Sequence, residues 1–90
     1  KKAAELAAVS ELTIAPHNYT PHLSSFQSLN LVASVSNVRI MESDVDSAPW
    51  RDEITTNVPE IKDGYMTIPT EPGWGSELDE AAAKKYAFTG

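Results

Sequence analysis

Short apolar runs alternate with polar connections along the chain, and one longer amphipathic stretch lies between two of them. Lys2 to about Ser10 (Lys-Ala-Ala-Glu-Leu-Ala-Ala-Val-Ser) is rich in strong helix formers, with Leu6 and Val9 at i, i+3 spacing, and predicts a helix. It has no N-cap, so the chain is expected to start inside a helix, as a segment of something longer would. Leu12-Thr13-Ile14-Ala15 predicts a strand, short and apolar enough to be buried on both faces as in a parallel sheet, and Pro16 stops it. Thr20 and Pro21 suit an N-cap and first helical residue. The pairs Leu23/Phe26 and Leu29/Val32 then carry a helix to about Val35. Ser36-Asn37 ends it, and Val38-Arg39-Ile40-Met41 predicts a second strand. Leu12 to Met41 is thus one βαβ-sized unit, the crossover that a parallel strand pair requires.

Beyond Glu42 the pattern becomes irregular and acidic through Asp44, Asp46, Pro49, Asp52, Asn57 and Pro59. Glu60 to Pro69 predicts a hairpin about Asp63-Gly64. Pro72-Gly73-Trp74-Gly75 is a turn cluster, and Ser76 with Asp79 resembles a capping box leading into a terminal helix that ends near Phe88.

Composition narrows the function classes. Ninety residues with 41% hydrophobic and 22% charged content make one small domain with a marginal core. Thirteen acids against seven bases give a net charge of −6, with seven of the acids between Glu42 and Asp63. Such a chain has no basic stripe for nucleic acid or an anionic membrane surface. With no cysteine there is neither a disulfide nor a thiolate metal site, and a cytoplasmic location is expected. No apolar run approaches the ~18 residues of a membrane span. A chain this small without a staple needs a partner surface.

Two ionisable residues carry the chemistry. His17 and Glu42 each follow the C-terminal end of a predicted strand, where an α/β barrel presents catalytic groups. His17 is either a base held at a strand end or a loop histidine beside Pro16; Glu42 is either a catalytic acid or the solvated end of a strand. His22, five residues on with Pro21 between, cannot share a helix face with His17 as a zinc pair would, and reads as first-turn polarity. A competing pattern places Glu42, Asp44, Asp46 and Glu53 at positions 1, 3, 5 and 12 of an EF-hand-like calcium loop. It fails at Ser47, where glycine is required, at Pro49 in mid-loop, and at Ile54 to Pro59, a poor exiting helix. Trp50 and Trp74 read as packing anchors. Phosphate-loop and nucleophile-elbow motifs are absent.

The ordered set Ala15-Pro16-His17-Asn18, Leu23-Ser24-Ser25-Phe26-Gln27-Ser28-Leu29, Met41-Glu42, Pro49-Trp50-Arg51-Asp52-Glu53, Asp63 to Pro69 and Pro72-Gly73-Trp74-Gly75 resembles the C-terminal end of the mandelate racemase/muconate-lactonizing branch of the enolase superfamily. It is most similar to the mandelate racemase subgroup, and the resemblance covers nearly all of the chain. The implied fold class is α/β: the chain would supply strands 7 and 8 and helices of a (β/α) barrel over residues 1–57. Residues 58–90 would form a C-terminal segment that packs on the capping domain. The resemblance makes His17 the base and Glu42 the acid that hydrogen-bonds the substrate carboxylate, with Asn18 and Tyr19 binding substrate. The implied reaction removes the proton α to a carboxylate through an enediolate held by Mg²⁺. That pattern is already established for the superfamily and is not deduced from this spacing. A sugar-acid dehydratase is the first expectation and a racemase or epimerase the second; a small acidic interaction module, with or without calcium in the EF-hand-like loop above, is the rival of another class. The partners implied are a sugar-acid carboxylate, the rest of the barrel with its capping domain, and further copies in a homo-oligomer. The resemblance places the three carboxylate metal ligands upstream of Lys1; a barrel also needs ~250 residues, and the 90-residue chain alone is expected to be inactive.

Overall fold

In the computed structural model, the structure describes residues 1–19, 21–46 and 48–87. The expected N-cap Thr20, the calcium-loop position Ser47 and the helix end at Phe88 lie outside them. The elements in order are α1 (Lys2–Val9), α2 (His22–Ala33), α3 (Pro49–Glu53), β1 (Ile61–Lys62), β2 (Tyr65–Met66) and α4 (Glu80–Lys85). None of these helices is long and apolar enough to cross a membrane.

Helix α1 closes in a Schellman-type turn. The Leu12 N–H donates to the Ala7 carbonyl and the Glu11 N–H to that of Ala8, both at 3.0 Å. Glu11 takes the left-handed position with φ 56°, where glycine is usual. The chain then runs alongside the segment after α2. Ile14 and Val38 form a parallel bridge, the Ile14 N–H donates to the Asn37 carbonyl at 2.8 Å, and Arg39 N–H to the Ile14 carbonyl at 2.9 Å. Asn37 clamps this junction through its side-chain amide, donating to the carbonyls of Ala4 (2.9 Å) and Leu12 (3.1 Å).

The two expected strands are therefore side by side and parallel, but reduced to a single bridge. Their burial differs from expectation. Leu12 is 59% exposed and Ile40 66%, since no third strand flanks the pair among the described residues, while Ile14 and Val38 at the bridge are half-buried. The buried apolar core is small: Ala4 of α1 and Phe26 and Leu29 of α2. The accessible surface of 6705 Å² exceeds the roughly 5,200 Å² of a folded monomer of 9.8 kDa. The radius of gyration, 14.9 Å, likewise exceeds the ~12 Å of a compact chain this long.

Helix α2 begins at His22 with Pro21 as its N-cap, one residue later than expected, and ends at Ala33. The expected irregular connection contains α3, which Pro49 starts at the first helical position, where its missing N–H costs nothing. The hairpin forms as predicted. Asp63 (φ 52°) and Gly64 (φ 79°) supply the two left-handed residues of a tight turn, and Ile61 pairs with Met66.

The tail returns to the rest of the chain. Thr55 and Leu78 form an antiparallel bridge, flanked by Thr56 N–H to the Glu77 carbonyl (2.9 Å) and Asp79 N–H to the Ile54 carbonyl (2.7 Å). The expected capping residue is corrected: Asp79, not Ser76, caps α4, its carboxylate accepting from the Ala82 N–H at 3.0 Å. The Ser76 hydroxyl is already engaged with the N–H and carbonyl of Asn57, both at 3.1 Å. Asn30 of α2 donates to the Trp74 carbonyl at 3.0 Å, which holds the turn cluster against the helix. Gly75 (φ 91°) lies so close to Pro69 that a Cβ there would stand 2.5 Å from that ring.

Candidate active site

The parallel register decides which residues meet. Beyond the Ile14–Val38 bridge, the Glu42 N–H donates to the Pro16 carbonyl at 3.2 Å, so both segments leave the pair at one end. His17 and Glu42 follow directly, and His17 Nδ1 lies 2.5 Å from Glu42 Oε2. The same oxygen accepts from the Asn18 backbone N–H at 2.9 Å. Both side chains are open to solvent, His17 79% and Glu42 46% exposed, so they can reach a ligand.

The two residues expected to bind substrate sit differently. Asn18 is buried, and its side chain is turned into α2, donating to Ser25 Oγ at 3.0 Å and accepting from Ser28 Oγ at 3.3 Å. Its backbone, not its amide, faces the pair. Tyr19 is half exposed and its hydroxyl donates to the Asp46 carboxylate. That hydrogen bond, with partial loss of water and the nearby charges of Asp44 and Asp46 adding to it, pushes the phenol up to about 12.

Arg51 of α3 is a site feature that sequence reasoning missed. Its guanidinium is buried and donates to Asp44 Oδ2 at 2.6 Å and to the Asp46 carbonyl at 2.7 Å. Asp44 Oδ1 in turn accepts from the Asp46 N–H at 2.8 Å. The available signal was a proline-started turn of helix that places an arginine inside an acidic stretch. His22 is more than first-turn polarity, since its Nε2 meets Asp52 Oδ1 at 2.6 Å and joins α2 to α3. Farther along, Glu53 accepts from the Tyr86 hydroxyl (2.9 Å) and from Lys85 Nζ (3.3 Å). These donors, Tyr86 first, hold its carboxyl below the usual value.

The calcium-loop alternative finds no support in these contacts. Its four carboxylates face separate donors: His17 for Glu42, Arg51 for Asp44, Tyr19 for Asp46, and Tyr86 with Lys85 for Glu53. Among the described residues no three His, Asp or Glu side chains group so as to hold a metal ion.

The profile of the enolase C-terminal domain-like family matches residues 1–82. The chain is 27% identical, over all 90 residues, to 22% of the D-xylonate dehydratase of Haloferax volcanii. Among solved structures it resembles a Burkholderia xenovorans LB400 protein designated an L-alanine-DL-glutamate epimerase, bound to magnesium and fumarate. That likeness has a TM-score of 0.91 and 40% identity and covers 94% of this chain and 21% of the other. A mandelate racemase/muconate lactonizing enzyme from Jannaschia sp. CCS1 follows at TM-score 0.85 and 29% identity, covering 99% of this chain and 22% of its own. The chain thus spans about a fifth of the length of these proteins. It belongs to the enolase C-terminal domain-like family, within the mandelate racemase/muconate-lactonizing branch of the enolase superfamily.

Proposed function

We propose that this chain is the C-terminal part of an enzyme that removes the proton α to a carboxylate, and that the enzyme is a sugar-acid dehydratase. The observation that carries the reading is the meeting of His17 and Glu42 at the common end of two parallel-paired segments. The likeness to a D-xylonate dehydratase along the whole chain supports the substrate class. In this reading residues 1–57 supply the last barrel strands, and residues 58–90 associate with the capping domain while staying anchored to α2 through Trp74.

His17 is the base. With its Nδ1 proton donated to Glu42, the ring's lone pair lies on Nε2 and accepts the α proton. The C–H electron pair passes into the carboxylate as an enediolate, and Glu42, acting as the acid, donates a hydrogen bond from Oε1 to that group as charge develops. The β C–O bond then breaks, and the departing hydroxyl takes the proton back from Nε2. The products are water and the enol of a 2-keto acid. Tyr19 presents its ring to the substrate, and Asn18 contributes through its backbone N–H on Glu42.

Magnesium, which is bound in the Burkholderia relative, supplies charge stabilisation of an enediolate in this superfamily. The described residues of this chain do not fit it, since their carboxylates are engaged by separate donors. Its ligands belong, in this reading, to other parts of the enzyme.

The test is His17→Asn in the intact enzyme, followed by NMR of α-proton exchange in deuterium oxide with D-xylonate and related sugar acids. Exchange is expected to fall by about 10²–10⁴-fold; undiminished exchange refutes the role of His17. An epimerase is the second reading, favoured by the 40% identity to the Burkholderia protein. Deuterium incorporated with inversion, without keto acid formed, would select it.

A further inference from the structure

Tyr19 and Asp46 belong to the two segments that carry His17 and Glu42, each a few residues past the functional side chain. The Tyr19 hydroxyl donates to Asp46. Asp46 is fixed in turn: its N–H donates to Asp44 at 2.8 Å and its carbonyl accepts from Arg51 at 2.7 Å, while Arg51 also holds Asp44 at 2.6 Å. Arg51 is buried in α3, so this chain of contacts ends on a fixed point. A further link therefore joins the His17 and Glu42 segments, independent of the His17–Glu42 contact and of the two bonds that Glu42 makes with the Pro16 carbonyl and the Asn18 N–H.

We propose that Tyr19 is a positioning residue: by donating its hydroxyl to the Arg51-braced Asp46, it holds the His17 segment at its working distance from Glu42. The inference rests on the reading of His17 as base and adds a role that the ring of Tyr19 does not fill. The reason for needing such a tie is local. His17 and Glu42 are both solvent-exposed on coil that follows a single bridge. The Glu42 N–H to Pro16 bond ties the backbone just before His17, and the Glu42 carboxylate itself ties the Asn18 N–H just after it, so a tie beyond the site adds rigidity. A displacement of ~1 Å in a base is enough to cost as much as about 10²-fold in rate. The raised phenol keeps the donor protonated throughout the neutral range.

The experiment compares Tyr19→Phe, Asp46→Ala and Asp46→Asn in the intact enzyme, with His17→Asn alongside. Tyr19→Phe keeps the ring and removes only the donor; Asp46→Ala removes the acceptor and leaves Tyr19 whole; Asp46→Asn keeps an acceptor oxygen. We expect Tyr19→Phe and Asp46→Ala each to lower kcat by about tenfold or more with KM little changed. The double variant should be no worse than either single one, and Asp46→Asn should recover most of the rate. Wild-type kcat in Tyr19→Phe overturns the proposal, as does a loss confined to KM, or a loss in Tyr19→Phe that Asp46→Ala does not share. Exchange that survives His17→Asn overturns the underlying reading instead, and the positioning role with it.

Discussion

Replacing Arg51 by Met removes a buried cation while keeping most of its volume. In the native fold the Arg51 and Asp44 side chains are only 9% and 12% exposed and meet at 2.6 Å, and the same nitrogen serves the Asp46 carbonyl. The substitution leaves a nearly buried carboxylate without its guanidinium and takes a donor from a carbonyl. Breaking a buried pair from one side costs about 3–5 kcal/mol. A domain of this size holds roughly 5–13 kcal/mol in total, so the loss is a large share of it. Removing the other charge as well, with Asp44→Asn in the same chain, should recover at least half, because a neutral amide is far cheaper to leave there. The assay is urea denaturation of the protein carrying this segment, with the slope checked for constancy so that the midpoint reports stability. The reasoning is refuted if Arg51→Met alone lies within about 1 kcal/mol of wild type. It is refuted equally if the double variant loses the sum of the two single losses.

Two glycines with similar backbone angles separate steric crowding from backbone strain. Gly75→Ala combines φ 91° with a 2.5 Å approach to Pro69 and should cost about 3 kcal/mol, whereas Gly73→Ala, at φ 72° with nothing within 4 Å, should cost about 1 kcal/mol; thermal melts of the two variants decide. The Tyr19 phenol should titrate late, near 12, in an alkaline absorbance titration, and Asp46→Ala should move it down. Because the folded value is raised, stability from this contact is fully present below the ordinary phenol value of about 10. It is lost as pH climbs from there through about 12, so a Tyr19→Phe variant should show a shallower alkaline loss.

Local signals carried most of what could be read from the chain. The spacing of Phe26 and Leu29 marks α2, and Asp63-Gly64 marks the hairpin, because only residues tolerant of positive φ close a two-residue turn. His17 and Glu42 stood out because each follows an apolar run that a proline or a change of polarity ends. What escaped was non-local or too short to have a period. Helix α3 is five residues long, less than two turns, so no apolar repeat develops. Ser76 had the right spacing to cap α4, but its hydroxyl goes to Asn57, nineteen positions away, and Asp79 takes over. The Tyr19–Asp46 and Thr55–Leu78 contacts likewise join residues more than twenty positions apart. This segment by itself does not supply the cover expected over Leu12 to Ala15, since an apolar run announces that it will be covered without saying by what.

The uncovered parallel pair has a practical consequence for anyone who produces this segment. Leu12 and Ile40 lie open on two short stretches whose backbone has no neighbour on its outer sides among the described residues, with Leu6 and Val9 of α1 open as well. Unpaired strand edges next to apolar side chains recruit whatever chain is at hand. Produced by itself, the segment should self-associate in proportion to its concentration, and its melting temperature would then report the aggregate rather than the fold. Co-expression with the rest of the enzyme, rather than a solubility tag, is the remedy that this geometry calls for.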